Sequence, residues 1–292
     1  MLHRSNTYKV FSFFNIILLA IISVICILPL IHILAVSFSS KAAATANIIT
    51  FWPVDFTTEA YNQTLTNSNF IRAIVISIER TILGTIVQML IICMAGYALS
   101  KEDRVFTGRT AYSWIFVFTM LFGGGLIPHY IVVSKLNLLN TMWSLILPGA
   151  VAVYSMVLLI NFFRNVPKEL EEAAMIDGAG HFTTMIRIYL PVSMPAIATL
   201  SLFSMVGHWN SWFDGLLYMT SYNNYPLATF LQTVVATVDP SRLNINPEDM
   251  QNFSERTIRA SQIFIGALPI LLVYPFLQKY FVKGIVLGSV KE

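Results

Sequence analysis

Charge is scarce in this chain: Asp, Glu, Lys and Arg make up 11% of its 292 residues, against about a quarter in ordinary soluble domains. With 56% hydrophobic residues, a freely soluble globule is excluded, because no core of this size encloses so much apolar surface. The net charge of +3 says nothing for a nucleic-acid partner. Cysteine is nearly absent. Cys26 and Cys93 lie in separate apolar runs, so neither a disulfide framework nor a thiolate metal site has a basis, and both read as small hydrophobes. His32, His129 and His208 show no metal-ligand spacing. The phosphate loop GxxxxGK followed by Ser or Thr is missing, as are internal repeats and low-complexity tracts.

What the chain has in abundance is long apolar segments, so the bilayer is its solvent. Spanning the hydrocarbon takes about 20 such residues. Six segments qualify, at about 14–37, 74–98, 112–134, 143–163, 196–217 and 262–283. The expectation is an all-α polytopic membrane protein with six transmembrane helices. Residues 1–13 precede the transmembrane body (14–284), and 285–292 form a short tail. Connections are short apart from 38–73 and 218–261, which are rich in Asn, Thr and Pro. The opening MLHRSNTYK and the small residues Ala42 to Ala46 imitate a secretory signal and its cleavage site. The apolar stretch from Val10 to about Phe38 is far longer than the ~7–15 residues of a secretory core, so an uncleaved first helix is expected. Gly123-Gly124-Gly125 with Pro128 marks the third span either as broken or re-entrant, or as closely packed.

Lys and Arg set the orientation. With the amino terminus in the cytoplasm, eleven of the 18 basic residues fall on that side in short segments, Lys101, Arg104, Arg109, Arg164, Lys168 and Arg187 among them. The other seven are spread over longer loops. This places the polar stretch Arg164 to Pro195 in the cytoplasm and the two long loops outside.

That stretch reads as an amphipathic helix–turn–helix. Pro167 suits a first helical position, and Glu169, Glu171 and Glu172 load the positive end of the helix. Leu170, Ala173, Ala174 and Asp177 recur at three- and four-residue spacing and share a face. Gly178 supplies a left-handed cap. A second short run, Phe182 to Tyr189, follows, and Pro191 and Pro195 punctuate the return to the membrane. An amphipathic elbow in water implies that something docks there.

The residues also carry a resemblance. Glu172-Ala173-Ala174, Gly178, Ile188, Leu190 and Pro191 reproduce the EAA signature of permease subunits from bacterial ATP-binding-cassette (ABC) importers. The extended form, with Asp177-Gly178-Ala179, Phe182, Pro191 and Pro195, resembles the carbohydrate-uptake, maltose-type branch. The end of the chain, Gln278 to Gly284 with Gly288 and Val290-Lys291, looks like the tail of the maltose-type permease that reaches between the ATPases. The runs Gly124 to Pro128 and Gly207-His208-Trp209-Asn210 look like the subgroup for larger oligosaccharides, including alginate and other uronate-containing chains. The resemblance implies a MetI-like permease fold in the bacterial cytoplasmic membrane with both termini inside. It implies ATPase coupling through Glu172, Ala173, Ala174, Asp177, Gly178 and Ala179, and tail contacts through Gly284, Gly288 and Lys291. Implied partners are a second homologous permease, two identical subunits that bind ATP and Mg, an extracytoplasmic solute-binding protein, membrane lipid and an oligosaccharide. No cofactor is expected in this chain, no catalytic residue and no nucleic acid.

Polar residues inside spans are expensive unless they face protein or a wet cavity. Trp209, Asn210, Trp212 and Asp214 form either a sugar path or an aromatic belt at the membrane interface. In the second span Ser77, Arg80, Gly84 and Gln88 form a polar stripe with Glu79 beside it. Arg80 there either lines the cavity, favouring an anionic sugar, or meets a partner subunit. His208 with Ser211 is a local imitation of a hydrolase dyad. The competing function classes are a secondary carrier driven by an ion gradient, which would work alone without nucleotide, and a membrane-embedded hydrolase.

Overall fold

Glycine, proline and capping chemistry punctuate an unbroken succession of helices, and no strand forms among the described residues. The computed structural model describes residues 6–236 and 255–289. In chain order the helices are α1 (Asn6–Ser37), α2 (Lys41–Thr45), α3 (Glu59–Thr66), α4 (Ser68–Ser100), α5 (Arg109–Leu121), α6 (Leu126–Lys135), α7 (Met142–Ile146) and α8 (Val153–Arg164). Then come α9 (Lys168–Ile176), α10 (His181–Thr184), α11 (Leu190–Val192), α12 (Met194–Asn210), α13 (Phe213–Tyr218), α14 (Leu227–Ala236) and α15 (Glu255–Ser289). A 3₁₀ turn, Leu147–Gly149, prolongs α7, and a π-helical stretch, Met185–Tyr189, joins α10 to α11.

The expected spans divide into two kinds. Tyr8–Ser37, α4 and Glu255–Val273 are each long and apolar enough to cross a bilayer unbroken. The other three are bent pairs: α5 with α6 by 114°, Met142–Gly149 with α8 by 52°, and His181–Val192 with α12 by 83°. Of the two readings of the Gly123–Gly125 run, the break is the one found. Gly125 adopts φ +84°, and a Cβ added at Gly123 would meet nothing within 4 Å, so these glycines serve the bend and not a tight contact. Nor is 196–217 one helix. It stops at Asn210, and α13 restarts at Phe213. Gly284 and Gly288, expected beside or in a loose tail, lie within α15, which runs to Ser289.

The chain divides into two compact units, Met1–Ile71 with Thr233–Leu268, and Arg72–Gln232 with Pro269–Glu292. In the first, the most apolar stretch of α1 is 0% buried, as suits a helix whose solvent is lipid. Its end is covered: Ala35 and Val36 pack with Ala43, Ala44, Ile49 and Ala260. The expected loop 38–73 is therefore largely built. Ser40 caps α2 by accepting from the Ala43 amide, and Phe38 stacks on Phe56 and Tyr61. Arg256 donates to the Ala44 carbonyl (3.1 Å) and to Asn47 Oδ1 (2.7 Å).

In the second unit, Ile92 and Tyr97 of α4 pack with Met156, Leu159 and Phe163 of α8, with Met185 and Tyr189, and with Leu200 of α12. Lipid is as apolar as leucine, so close fit rather than exclusion of water holds such helices together. This core carries the elbow on its end.

Candidate functional site

The elbow starts where Pro167 ends the incoming chain. Pro167 takes the cap position (φ −54°, ψ 131°) rather than the first helical turn, and α9 begins at Lys168. The helix stops through a Schellman arrangement. The Gly178 amide donates to the Met175 carbonyl (3.0 Å) and the Ala179 amide to the Ala174 carbonyl (2.9 Å). Gly178 itself sits at φ +81°, a conformation that costs a residue with a Cβ about 1–2 kcal/mol. No atom lies within 4 Å of where that Cβ would be, so the requirement for glycine is one of backbone geometry alone.

The three glutamates separate in space. Glu169 and Glu172 face solvent, while Glu171 turns inward. Lys101, just past the end of α4, donates to Glu171 Oε1 at 2.7 Å, their side chains 8% and 15% exposed. The Tyr189 hydroxyl donates to Glu171 Oε2. The same ammonium sits 4.0 Å from the ring centroids of both Tyr97 and Tyr189, a cation–π cage. Burial pushes the Glu171 carboxyl up, but the bonds from Lys101 and Tyr189 outweigh it and the net shift is downward. Burial lowers the Lys101 ammonium, only partly offset by Glu171. Burial and then Glu171 both raise the Tyr189 phenol. At neutral pH the pair is therefore ionised and the phenol keeps its proton. The elbow is thus anchored to α4 and not merely tethered by chain. Sequence alone treated Glu171 as one of three dipole-facing acids, and its inward turn had no local signal.

The outer face of the elbow is apolar where water would be expected. Leu170, Met175, Ile176 and Phe182 are 43%, 42%, 86% and 66% exposed. Glu172, Ala173, Asp177 and Gly178 are exposed beside them, with Ala174 and Ala179 half-buried.

The polar stripe of α4 resolves into a seam within this chain, and neither of the two expected roles for Arg80 is the one found. Arg80 is 2% exposed. Its guanidinium grips Asp214 with both terminal nitrogens, Nη1 to Oδ1 at 3.2 Å and Nη2 to Oδ2, and Nη1 also donates to the Ser211 carbonyl (3.0 Å). Asp214 further accepts from the Ser211 hydroxyl (2.9 Å) and the Gly215 amide (2.9 Å). Ser77 accepts from the Leu227 amide (2.7 Å), and Ser204 donates to Gln88 Oε1 (2.8 Å). Gly84 leaves room for His208, whose ring would lie 2.6 Å from a Cβ there. Every stripe residue is thus consumed by α12, α13 or α14. Ser211 gives its hydroxyl to Asp214, so no Ser–His dyad forms.

Of the remaining candidates, Trp209 is buried, while Asn210 and Trp212 are exposed, Trp212 edge-on to Phe213 at 5.5 Å. Gly284 and Gly288 lie in α15 with their surroundings outside description, and Lys291 lies outside the described residues. Among the described residues no group of three or more His, Cys, Asp or Glu is arranged to hold a metal.

Straight and bent apolar helices long enough to cross a bilayer, with a capped polar elbow between two of them, define a helical membrane protein. Comparison with known proteins gives its kind. No family model matches. The chain is 40% identical over 292 residues to Protein LplC of Bacillus subtilis (strain 168), covering 99% of this chain and 98% of that one. It is 38% identical over 276 residues to the polygalacturonan/rhamnogalacturonan transport system permease protein YtcP of the same organism, covering 94% and 95%. Among solved structures, a chain of a bacterial ABC transporter involved in the import of the acidic polysaccharide alginate superposes with TM-score 0.87 at 29% identity, over 96% of this chain and 100% of that one. The chain belongs to the permease subunits of carbohydrate ABC importers. It is a transport subunit and not an enzyme.

Proposed function

We propose that this chain is one of two homologous permeases of a binding-protein-dependent oligosaccharide importer in the bacterial cytoplasmic membrane, with six spans and both termini inside. The exposed apolar row Leu170, Met175, Ile176 and Phe182 on a capped, anchored elbow carries this reading. It gives a surface for a soluble subunit and a rigid path from that surface to α4. On this reading Glu172, Ala173, Ala174, Asp177, Gly178 and Ala179 seat in a cleft of each ATP-binding partner. ATP and Mg act there, on the partners. Closing the partners on ATP moves the elbow, the elbow moves the spans, and hydrolysis resets the inward-open state. Gly284, Gly288 and Lys291 reach toward the same subunits. An extracytoplasmic binding protein delivers the sugar at the opposite face, against loops 38–73 and 218–261. The likeness to YtcP and to the alginate importer supports an acidic oligosaccharide as cargo. Asn210 and Trp212, exposed at and just past the end of α12, are kept in the substrate path. Arg80, Asp214 and Trp209 hold the wall behind it.

The test is a cysteine at position 173. In membranes that import sugar, Ala173→Cys is expected to cross-link to an ATP-hydrolysing subunit. Active membranes in which it captures none would remove the elbow from the coupling path.

A further inference from the structure

The seam takes Ser77, Arg80, Gly84 and Gln88, and leaves two charged residues of α4 unused. Arg72 and Glu79 are exposed, and neither makes a hydrogen bond or ion pair with any described residue. Seven residues apart, they share a face two turns, or about 10.5 Å, along the axis. Arg72 lies just before the apolar stretch 74–98 and Glu79 just inside it, so the face they share runs inward from the membrane edge, and unpaired charge is tolerated there where it meets water or a polar ligand. Opposite it stands the turn between α6 and α7, where Asn140 adopts φ +60° and is held by its amide on the Tyr218 carbonyl (2.9 Å). Asn140 Oδ1 accepts from the Asn224 side chain (3.1 Å) and from the Ser221 amide (3.4 Å). Its side-chain N–H groups make no hydrogen bond with any described residue. With Met142 and Met219 these residues line an open-sided cavity of about 360 Å³, at the lower end of the roughly 300–1,000 Å³ of small-ligand clefts.

We propose that this cavity is a subsite for one or two units of an acidic oligosaccharide, and the proposal rests on the importer reading above. Arg72 takes a sugar carboxylate with its two-pronged guanidinium. Glu79, two turns away, accepts hydroxyl protons, far enough from Arg72 that its own charge does not meet the carboxylate. The Asn140 amide donates to ring or hydroxyl oxygens, and the methionine side chains lie against C–H faces. The adjacent Glu79 and Arg80 thereby have opposite fates, one offered to cargo and the other spent on the wall.

The experiment uses the complete importer in proteoliposomes, with sister permease, ATPases and binding protein. Uptake of trigalacturonate and of maltotriose is measured for wild type, Arg72→Gln, Arg72→Lys and Glu79→Gln. The wild type is expected to take up trigalacturonate. Arg72→Gln should raise its half-saturating concentration about tenfold, as loss of one charge-assisted contact implies, and Arg72→Lys should recover part of that loss. Glu79→Gln should cost less. Arginine variants that stay within twofold of wild type, or that depress both sugars alike, overturn the subsite. Wild-type uptake of maltotriose alone removes the acidic assignment and leaves the importer standing. Uptake of neither sugar with ATP present removes the importer reading, and the subsite with it.

Discussion

Two buried ion pairs hold the second unit, and α4 supplies the cation to each, Arg80 within the helix and Lys101 just past its end. They are built differently. Arg80 and Asp214 form a fork-to-fork pair with added bonds from Ser211 and Gly215, inside a spanning segment. Lys101 and Glu171 form a single-point contact at the membrane edge, completed by two tyrosine rings and one phenol. Planar recognition suits a joint that must not rotate, and a point charge in an aromatic cage tolerates a change of angle. The wall of the spans is held by a planar two-pronged pair, whereas the elbow is held by a point charge set between two rings.

The most severe way to break that contrast is Asp214→Ala, which leaves the Arg80 charge buried and unpaired. A loss of about 3–5 kcal/mol is expected, seen as failure of the complex to survive detergent extraction; Arg80→Met with Asp214→Leu should recover most of it. Glu171→Gln should cost about 1–3 kcal/mol and leave the spans intact. Its signature is ATPase activity that no longer tracks transport, together with protease cleavage in 164–195. Gly178→Val strains the cap by about 1–2 kcal/mol and should likewise uncouple transport without loss of insertion. Normal sugar uptake by that variant would free the elbow from its assigned role. Acid acts in the same place. Because the folded Glu171 carboxyl lies below its ordinary value of 4.5, its contribution is complete above that pH and is lost as pH falls through the lower folded value. Protection from hydrogen exchange over 168–176, corrected for intrinsic exchange, should therefore fall as pH drops below about 4.5 and stay level between pH 5 and pH 7. Tyr189→Phe is the gentlest change, removing one hydrogen bond worth about 1 kcal/mol, and should move the acid transition to higher pH without moving the spans.

Much of this architecture is written locally. A proline cap, three early acids and a glycine at the far end specify α9 and its stop within a dozen residues, and apolar runs specify the spans. The pairing of Arg80 with Asp214 is not local. Both residues stand out as polar groups at membrane depth, but they are separated by 134 positions and nothing in either neighbourhood names the other. The bends are legible only as alternatives, since a glycine triplet serves a break and a tight packing equally until its backbone is seen. Glu79 and Arg80 show the limit most plainly. Adjacent on a helix, they diverge by about 100°, and which of them faces inward is set by the tertiary fold.

Gly84 has a mechanical consequence. Its missing side chain lets the His208 ring lie where a methyl group would be, and contacts above and below it bind α4 to α12, α13 and α14 at three further points. Such a seam behaves as a stiff plank. On the importer reading proposed above, the swing that carries cargo across is expected to come from the kinked helices rather than from this strip.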